Sequence, residues 1–311
     1  MKTNSLRCLF VLPMISWFAI SGYSAEQPGI SVGSGSTGFI DVDGGKLYYE
    51  ESGQGGQTVV LIHDGVLDSA VWNDVWPEFC QHFHTIRYDR RGFGKSAAAT
   101  SWYSEIDDLA TVLHHLRLGH AALIGSSHGG ELAIDFTLAH PDIVQELVLV
   151  GPVLSGMPYT QHFLDRGRAA FSLLQKNDVK GAISEWSKDK YLIAPADDAA
   201  RKKLLNLLTA NPQDMTHAGG DMIMAGKPAF GRLNDIKTPT LIVTGDADIP
   251  DVHAHAGAIE AGIPRAHRVV MEGVGHLLYL EKPSEFAYLA IAFLETNQPI
   301  EPRQETRSGG D

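Results

Sequence analysis

A serine, a carboxylate and a histidine, far apart along this chain, have the residue types and settings needed for acyl transfer. Ser127 stands in Gly125-Ser126-Ser127-His128-Gly129, directly after the apolar run Ala121-Ala122-Leu123-Ile124 and directly before a helical pattern. A strand, Gly-x-Ser-x-Gly and a helix, in that order, describe a nucleophile elbow: a tight turn that pushes the serine hydroxyl outward. Gly125 and Gly129 lack a Cβ, so strand and helix can pack closely at the turn. The five-residue pattern alone is weak, and an idle serine in a glycine-rich turn is the plain alternative. The flanking strand and helix favour the elbow.

A serine hydroxyl is a poor nucleophile until a base takes its proton and a third group orients that base. Residues 240–244 form an apolar β run, and Gly245-Asp246-Ala247-Asp248 follows with two carboxylates on offer. Residues 268–271 read as the next strand. Glu272-Gly273-Val274-Gly275-His276 then sets His276 in a glycine-rich loop, which Glu281-Lys282-Pro283 closes before a last helix.

The elements that must position these residues alternate. Residues 39–42 and 46–50 pair as a hairpin turned by Asp43-Gly44-Gly45. Residues 58–62 and 85–88 are the next strands, separated by a helix around 70–81. Residues 104–118 carry Ile106, Leu109, Leu113 and Leu116 at helical spacing. After the elbow, 146–150 is another strand, ending in Gly151-Pro152. Strands alternating with helices predict an α/β fold, a mostly parallel central sheet covered on both faces. From 153 to 234 the strands stop, and 163–175, 179–188 and 199–209 read as helices.

Two further motifs complete a resemblance. Leu61-Ile62-His63-Asp64-Gly65 ends an early strand, and Asp89-Arg90-Arg91-Gly92-Phe93-Gly94-Lys95-Ser96 matches Asp-x-Arg-Gly-x-Gly-x-Ser. With these five motifs in order, the chain resembles serine hydrolases of the α/β-hydrolase superfamily, of the esterase or lactonase kind with a helical cap. The resemblance implies the α/β-hydrolase fold and, from the family pattern Gly-x-x-Asp, Asp248 as the acid, with Asp246 as the alternative. It implies Ser127 as nucleophile, His276 as base, and an oxyanion hole from the backbone of His128 and Gly65, with Val66 the alternative to Gly65. Each such donor stabilises the developing oxyanion by about 3–4 kcal/mol. Asp64 departs from the family's usual glycine, and its carboxylate would oppose the oxyanion unless it is paired or points away. His63 reads as a hydrogen-bonder bracing the loop, the alternative being a second base. Asp89 and Arg91 read as braces of the turn near the active-site mouth. Aspartate-elbow relatives, the haloalkane dehalogenases and epoxide hydrolases, are disfavoured by the serine.

The resemblance also divides the chain: a signal peptide over 1–25, the hydrolase core over 26–152 and 235–296, a helical cap over 153–234 and a flexible tail over 297–311. Phe171, Leu174, Trp186, Tyr191, Met215, Met222, Ile223 and Met224 are the cap residues with the apolar bulk to line an acyl or alcohol pocket. Lys2 and Arg7 precede an apolar core over 9–20, and Ser21-Gly22-Tyr23-Ser24-Ala25 gives a small-residue exit, the pattern of an export signal. That core is short of the ~20 residues a spanning helix needs, so no stable membrane anchor is expected. Cys8 precedes the apolar core, so it does not read as a lipoprotein cysteine. Loss of the leader leaves Cys80 without an internal disulfide partner, a buried thiol on an amphipathic helix.

Composition fits this picture. The 311 residues are 44% hydrophobic and 20% charged, ordinary for a globular chain. The formal charge of −12, near −14 without Lys2 and Arg7, argues against nucleic acid as a partner and favours a neutral small molecule, which the resemblance makes a carboxylic ester or lactone with an apolar acyl part. Gly94-Lys95-Ser96 imitates the end of a phosphate-binding loop, but Asp89 stands where that loop needs glycine. The histidines are scattered; His253 and His255 sit two apart on a helical pattern, and His114 and His115 are adjacent, so neither pair shares a face. No metal or cofactor is expected. The expectation is an exported enzyme, periplasmic or secreted, that cleaves carboxylic esters or lactones through an acyl-enzyme. The alternatives are a carbon–carbon bond hydrolase or peroxide-using esterase on the same residues, an iminopeptidase, and a low-turnover ligand receptor on this scaffold.

Overall fold

A computed structural model describes residues 35–216 and 226–298. Among these residues the strands form one eight-stranded sheet in the order β1-β2-β4-β3-β5-β6-β7-β8. Strands β1 (Ser36–Val42) and β2 (Gly45–Ser52) make the antiparallel hairpin, with Val42 opposite Gly45 and Gly44 at φ +71 in the turn. β2 pairs antiparallel with β4 (His84–Tyr88). From β4 through β3 (Thr58–Ile62), β5 (Ala121–Ser126), β6 (Val144–Val150), β7 (Thr240–Gly245) and β8 (Ala266–Met271) every pairing is parallel. The leader, residues 222–224 and most of the proposed tail lie outside the described residues.

Side-chain alternation divides each central strand between two apolar layers. Val59 and Leu61 pack with Ile124, Val148 and Val243 on one face, while Val60 and Ile62 pack with Leu123, Leu149 and Ile242 on the other. With both faces covered, β3, β5, β6 and β7 read as continuous apolar runs. The first layer holds an aromatic cluster in which Trp72 lies 4.6 Å from Tyr279 and 6.3 Å from Phe286, centroid to centroid. It is closed by α1 (Trp76–His82) and, from the far end of the chain, α9 (Pro283–Thr296). The second layer is closed by α2 (Glu105–His115), α3 (His128–Ala139) and α7 (Pro250–Gly262). The helix expected around 70–81 is two pieces, a single turn over Ser69–Trp72 and then α1, which opens on Trp76 and Pro77. Proline suits a first helical turn and not a helix interior. Cys80 is buried in α1, its thiol pushed up by that burial.

Between β6 and β7 come α4 (Gln161–Leu174), α5 (Val179–Trp186) and α6 (Asp198–Ala210). Each begins with a side-chain cap: Thr160 accepts from the Phe163 amide, Asp178 from Gly181 and Asp197 from Ala200. Polar contacts fasten this segment to the sheet's carboxyl end. Asp251 accepts both the Thr160 amide and its hydroxyl. The Tyr191 and Leu192 carbonyls accept from the His276 and Leu277 amides. Glu281, in α8 (Leu278–Glu281), accepts from Ala194 with one oxygen and from Gly275 with the other. Asp214 accepts from the Gly94 amide at 3.0 Å. Among the described residues no helix is long and apolar enough to cross a membrane.

Ionisation of Asp214 in this junction is unfavourable to the fold, although the Gly94 amide favours the carboxylate. Burial, opposed by the Gly94 amide and reinforced by Asp68, Asp89 and Asp64, pushes its pKa up to about 7. A carboxyl with a raised folded pKa holds its proton longer in the folded state, so stability falls as pH rises from about 4 through 7. Asparagine keeps the acceptor for Gly94 and removes the charge. Asp214→Asn should therefore leave the melting temperature unchanged at pH 4 and stabilise the fold at pH 8 by about 2 kcal/mol, allowing for solvent screening. Calorimetric melting at the two pH values checks this, and an equal effect at both would refute it.

Candidate active site

The elbow forms because three chain segments crowd at the end of β5. Ser127 has φ +52 and ψ −115, a backbone state that costs a non-glycine residue about 1–3 kcal/mol. It is held there by its own amide, which donates to the Val150 carbonyl at 2.9 Å, and by its carbonyl, which accepts from Gly130 and Glu131. A Cβ on Gly125 would strike the Gly129 carbonyl, and one on Gly129 would strike the Ile62 and His63 carbonyls. Below the turn, the Ser126 and Tyr279 hydroxyls are 2.9 Å apart.

His276 is buried, and its Nδ1 lies 2.8 Å from Asp248 Oδ1, which also accepts from the Ile249 amide. This carboxylate fixes the ring's orientation and favours the tautomer with the proton on Nδ1. Asp246 does something else: its Oδ1 accepts from Gly273 and Val274 and so ties down the loop that carries His276. The two carboxylates left open by residue spacing thus divide into a partner of the ring and a brace of the loop. Gly151, at φ +49, is the floor beneath the pair, since a Cβ there would lie 2.9 Å from His276 Nδ1 and 3.1 Å from Asp248 Oδ2.

Ser127, His276, Gly65 and His128 border one cavity of about 330 Å³ at the carboxyl end of the sheet. Gly65 sits so close to the elbow that a Cβ on it would lie 3.6 Å from the His128 Cβ. The amide of Val66, the alternative donor, is engaged by Asp64 Oδ1 at 2.8 Å, as is that of Leu67 at 3.0 Å. Asp64 is therefore the clasp of its own loop. Its other oxygen, Oδ2, is enclosed, the Tyr279 hydroxyl interacts with this carboxyl, and burial pushes the carboxyl's pKa up.

A buried network outside the expected set of residues joins this loop to the elbow. Arg90 Nη1 donates to the carbonyls of His63 and Asp64, at 3.1 and 2.8 Å, and its Nε donates to Glu105 at 2.8 Å. The other Glu105 oxygen lies 2.9 Å from His128 Nε2. Burial alone would raise the Glu105 pKa, but Arg90 and His128 outweigh it and hold the carboxyl well below the usual range. His63 braces the loop: its Nδ1 is 2.8 Å from the Asp64 carbonyl and its Nε2 accepts the Arg90 amide. Burial and the neighbouring Arg90 push its pKa far down, as these contacts of a neutral ring require. Asp89 accepts from the Ser69 amide and hydroxyl and from Lys95, while Arg91 pairs with Asp108 on α2. The arginine that reaches the oxyanion loop is thus Arg90, the variable position of the motif, for which the sequence carries no signal.

The remaining wall is largely apolar, with Val153, Ile249 and Val252 from the core and Phe163, Phe171, Trp186 and Leu192 from the helical segment. Of the pocket candidates, Phe171 and Trp186 line the cavity. Leu174 and Met215 join the apolar layer instead, and Tyr191 faces a neighbouring surface hollow. His253 meets Arg268, and His255 accepts the Leu154 amide. Among the described residues no group of three or more His, Cys, Asp or Glu side chains is placed to hold a metal.

A family model for the alpha/beta hydrolase fold matches residues 57–283. The chain belongs to the α/β-hydrolase family. It is 26% identical over 280 residues to a 2-hydroxy-6-oxo-6-(2'-aminophenyl)hexa-2,4-dienoic acid hydrolase of Metapseudomonas resinovorans, covering 84% of this chain and 92% of that one. It is 24% identical over 257 residues to a pimeloyl-acyl-carrier-protein methyl ester esterase of Yersinia pseudotuberculosis, covering 81% and 99%. A solved thermophilic esterase from Thermogutta terrifontis, with malate bound, superposes with a TM-score of 0.70 at 26% identity, over 84% of this chain and 98% of the other. An N-acyl homoserine lactone degrading enzyme does so with a TM-score of 0.67 at 26% identity, over 82% and 100%.

The different duties of Asp246 and Asp248 can be read out directly. Asp248→Asn should lower kcat for an ester substrate by on the order of 10³–10⁴, because the amide no longer fixes the His276 tautomer. Asp246→Asn retains an acceptor for Gly273 and Val274, and its kcat should stay within roughly threefold of wild type. Steady-state kinetics on the two variants tests the assignment, which fails if the losses are reversed.

Proposed function

We propose that this α/β hydrolase cleaves carboxylic esters or lactones through an acyl-enzyme on Ser127. The observation that carries the reading is that His276, held by Asp248 at 2.8 Å, borders one cavity with Ser127 at its strained turn. In this reading Ser127 Oγ attacks the carbonyl carbon as His276 Nε2 takes its proton. Asp248 holds the ring and stabilises the imidazolium. The amides of Gly65 and His128 receive the oxyanion, and His276 returns the proton to the departing alcohol. Water then enters, gives its proton to His276 and releases the acid.

The relatives named as methyl ester esterase, esterase and lactone degrading enzyme support the ester or lactone as substrate. The relative named as a dienoic acid hydrolase favours a second reading, carbon–carbon bond hydrolysis with the same residues. The receptor alternative loses its motive, since Asp64 is occupied in clasping its loop. Export rests on the basic start and short apolar core of residues 1–25 and belongs to the proposal. In our reading residues 153–234 are a cap that closes over the substrate.

A fluorophosphonate should label purified protein at Ser127, Ser127→Ala should resist labelling, and short p-nitrophenyl esters should turn over only in the wild type. A folded protein that neither labels nor turns over any ester would refute the reading. Turnover of a vinylogous 1,5-diketone without ester cleavage would move it to the second. N-terminal mass spectrometry of the protein from a bacterial envelope fraction should find a chain beginning near residue 25, and an intact Met1 in the cytosolic fraction alone would overturn export.

A further inference from the structure

Among the described residues, the apolar wall over Ser127 contains one arginine. Arg166, on α4, borders the cavity with its side chain 10% exposed. Its nearest counter-charge is Asp189, with Oδ2 3.0 Å from Nη1, yet the angle is wrong for a hydrogen bond, and Nε and Nη1 are both enclosed without an acceptor. Of the other nearby carboxylates, Asp251 holds Thr160 with both oxygens, while Asp248 holds His276 and the Ile249 amide with Oδ1 and has Oδ2 enclosed without a hydrogen-bond partner. Asp189 itself accepts the Tyr191 amide with Oδ1. The guanidinium lies 5.1 Å from the Phe163 ring centroid and 5.7 Å from that of Trp186, where the rings shield it from water and hold it in place.

A buried guanidinium with donors to spare is costly, because each unmet N–H forfeits the hydrogen bond that water would have given it. A group whose only task was to brace the helices would gain from swinging fully onto Asp189. The planar fork suits a carboxylate, which two parallel N–H donors can grip. A phosphate dianion fits less well, since Asp64 also lines this cavity and Asp248 lies near the guanidinium. We propose that Arg166 is the carboxylate subsite of this cavity, and that the substrates are half-esters carrying a free carboxylate at the far end of the acid or alcohol arm. The proposal rests on the reading of Ser127 as the nucleophile and specifies its substrate class.

Two substrate series test it. p-Nitrophenyl half-esters of glutaric, adipic and suberic acid carry the carboxylate on the acyl arm, and ω-acetoxy carboxylates carry it on the alcohol arm. Each is paired with its methyl-capped neutral counterpart. The wild type should prefer the anion of at least one pair by roughly 10–100-fold in kcat/KM, the worth of a charge-assisted contact. In Arg166→Met that ratio should fall to about one, with the loss carried by the KM of the anion. Arg166→Lys, which restores the charge without the fork, should recover part of it. A wild type indifferent to charge in both series overturns the proposal, as does an Arg166→Met that slows anion and neutral ester by the same factor.

If no ester turns over, the nucleophile reading fails on its own, and calorimetry with Ser127→Ala decides the subsite. Monomethyl adipate binding more tightly than dimethyl adipate, with the difference abolished by adding Arg166→Met, supports it. Equal or absent binding of the two overturns it.

Discussion

The loop of residues 63–65 and the start of α3 at His128, far apart in the chain, meet at the elbow, and one buried ion pair holds them in register. Arg90 and Glu105, 4% and 8% exposed, are joined at 2.8 Å; Arg90 grips the carbonyls of residues 63 and 64, and Glu105 grips the ring of His128. Such a pair contributes little net stability, because desolvating both charges offsets their attraction. Removing one partner is another matter and costs about 3–5 kcal/mol, since a lone charge is left buried. Its value here is geometric. The amides of Gly65 and His128, the proposed oxyanion donors, belong to different segments, and a donor displaced by an ångström no longer points at a developing oxyanion. An apolar pair of equal volume could hold the fold together, but it could not specify where those amides point.

The same economy governs the serine. Its positive φ costs about 1–3 kcal/mol, and in the proposed mechanism a single oxyanion donor is worth about 3–4 kcal/mol in the transition state, so the strain does not exceed what it positions. What prevents the strain from relaxing is contact: α3 approaches β3 so closely that only glycine fits at 129, and the strand passes under the helix so closely that only glycine fits at 125. Gly151 extends the argument to the far side, leaving the space in which the His276 ring and Asp248 carboxylate lie side by side.

The sheet was legible because its central strands are continuous apolar runs bounded by turns, and period-two alternation assigns Val59 and Val60 to opposite layers without further information. The elbow was legible because its geometry demands two glycines around one serine. The choice between Asp246 and Asp248 rested on family pattern alone, because both carboxylates follow the same strand and only the path of the 272–276 loop separates them. Arg90, Glu105 and Arg166 were not legible. Each acts through a contact between segments distant in sequence, and an arginine in a motif or on a helix looks the same whether it faces solvent or a cavity. The interruption at 73–75 was missed for a related reason: apolar spacing continues across it, while the start of a new helix at Trp76 and Pro77 depends on how the chain turns to cover the sheet.

Asp64 shows how a residue that is wrong for one charge can be right for another. An anion beside the oxyanion loop disfavours the negative charge that forms on the carbonyl oxygen. Yet the proposed mechanism creates a second charge of opposite sign, the imidazolium of His276, and Asp64 lies close enough for that charge to pull its pKa down against the rise imposed by burial. A buried charge acts on both, and what it costs at the oxyanion is offset by what it contributes at the imidazolium. Clasping the Val66 and Leu67 amides adds a further benefit, larger for the ionised carboxylate, and so opposes the rise in pKa that burial imposes. The carboxyl therefore persists in a loop where glycine would suffice for the oxyanion alone, because that loop must also keep its shape while a cation forms beside it.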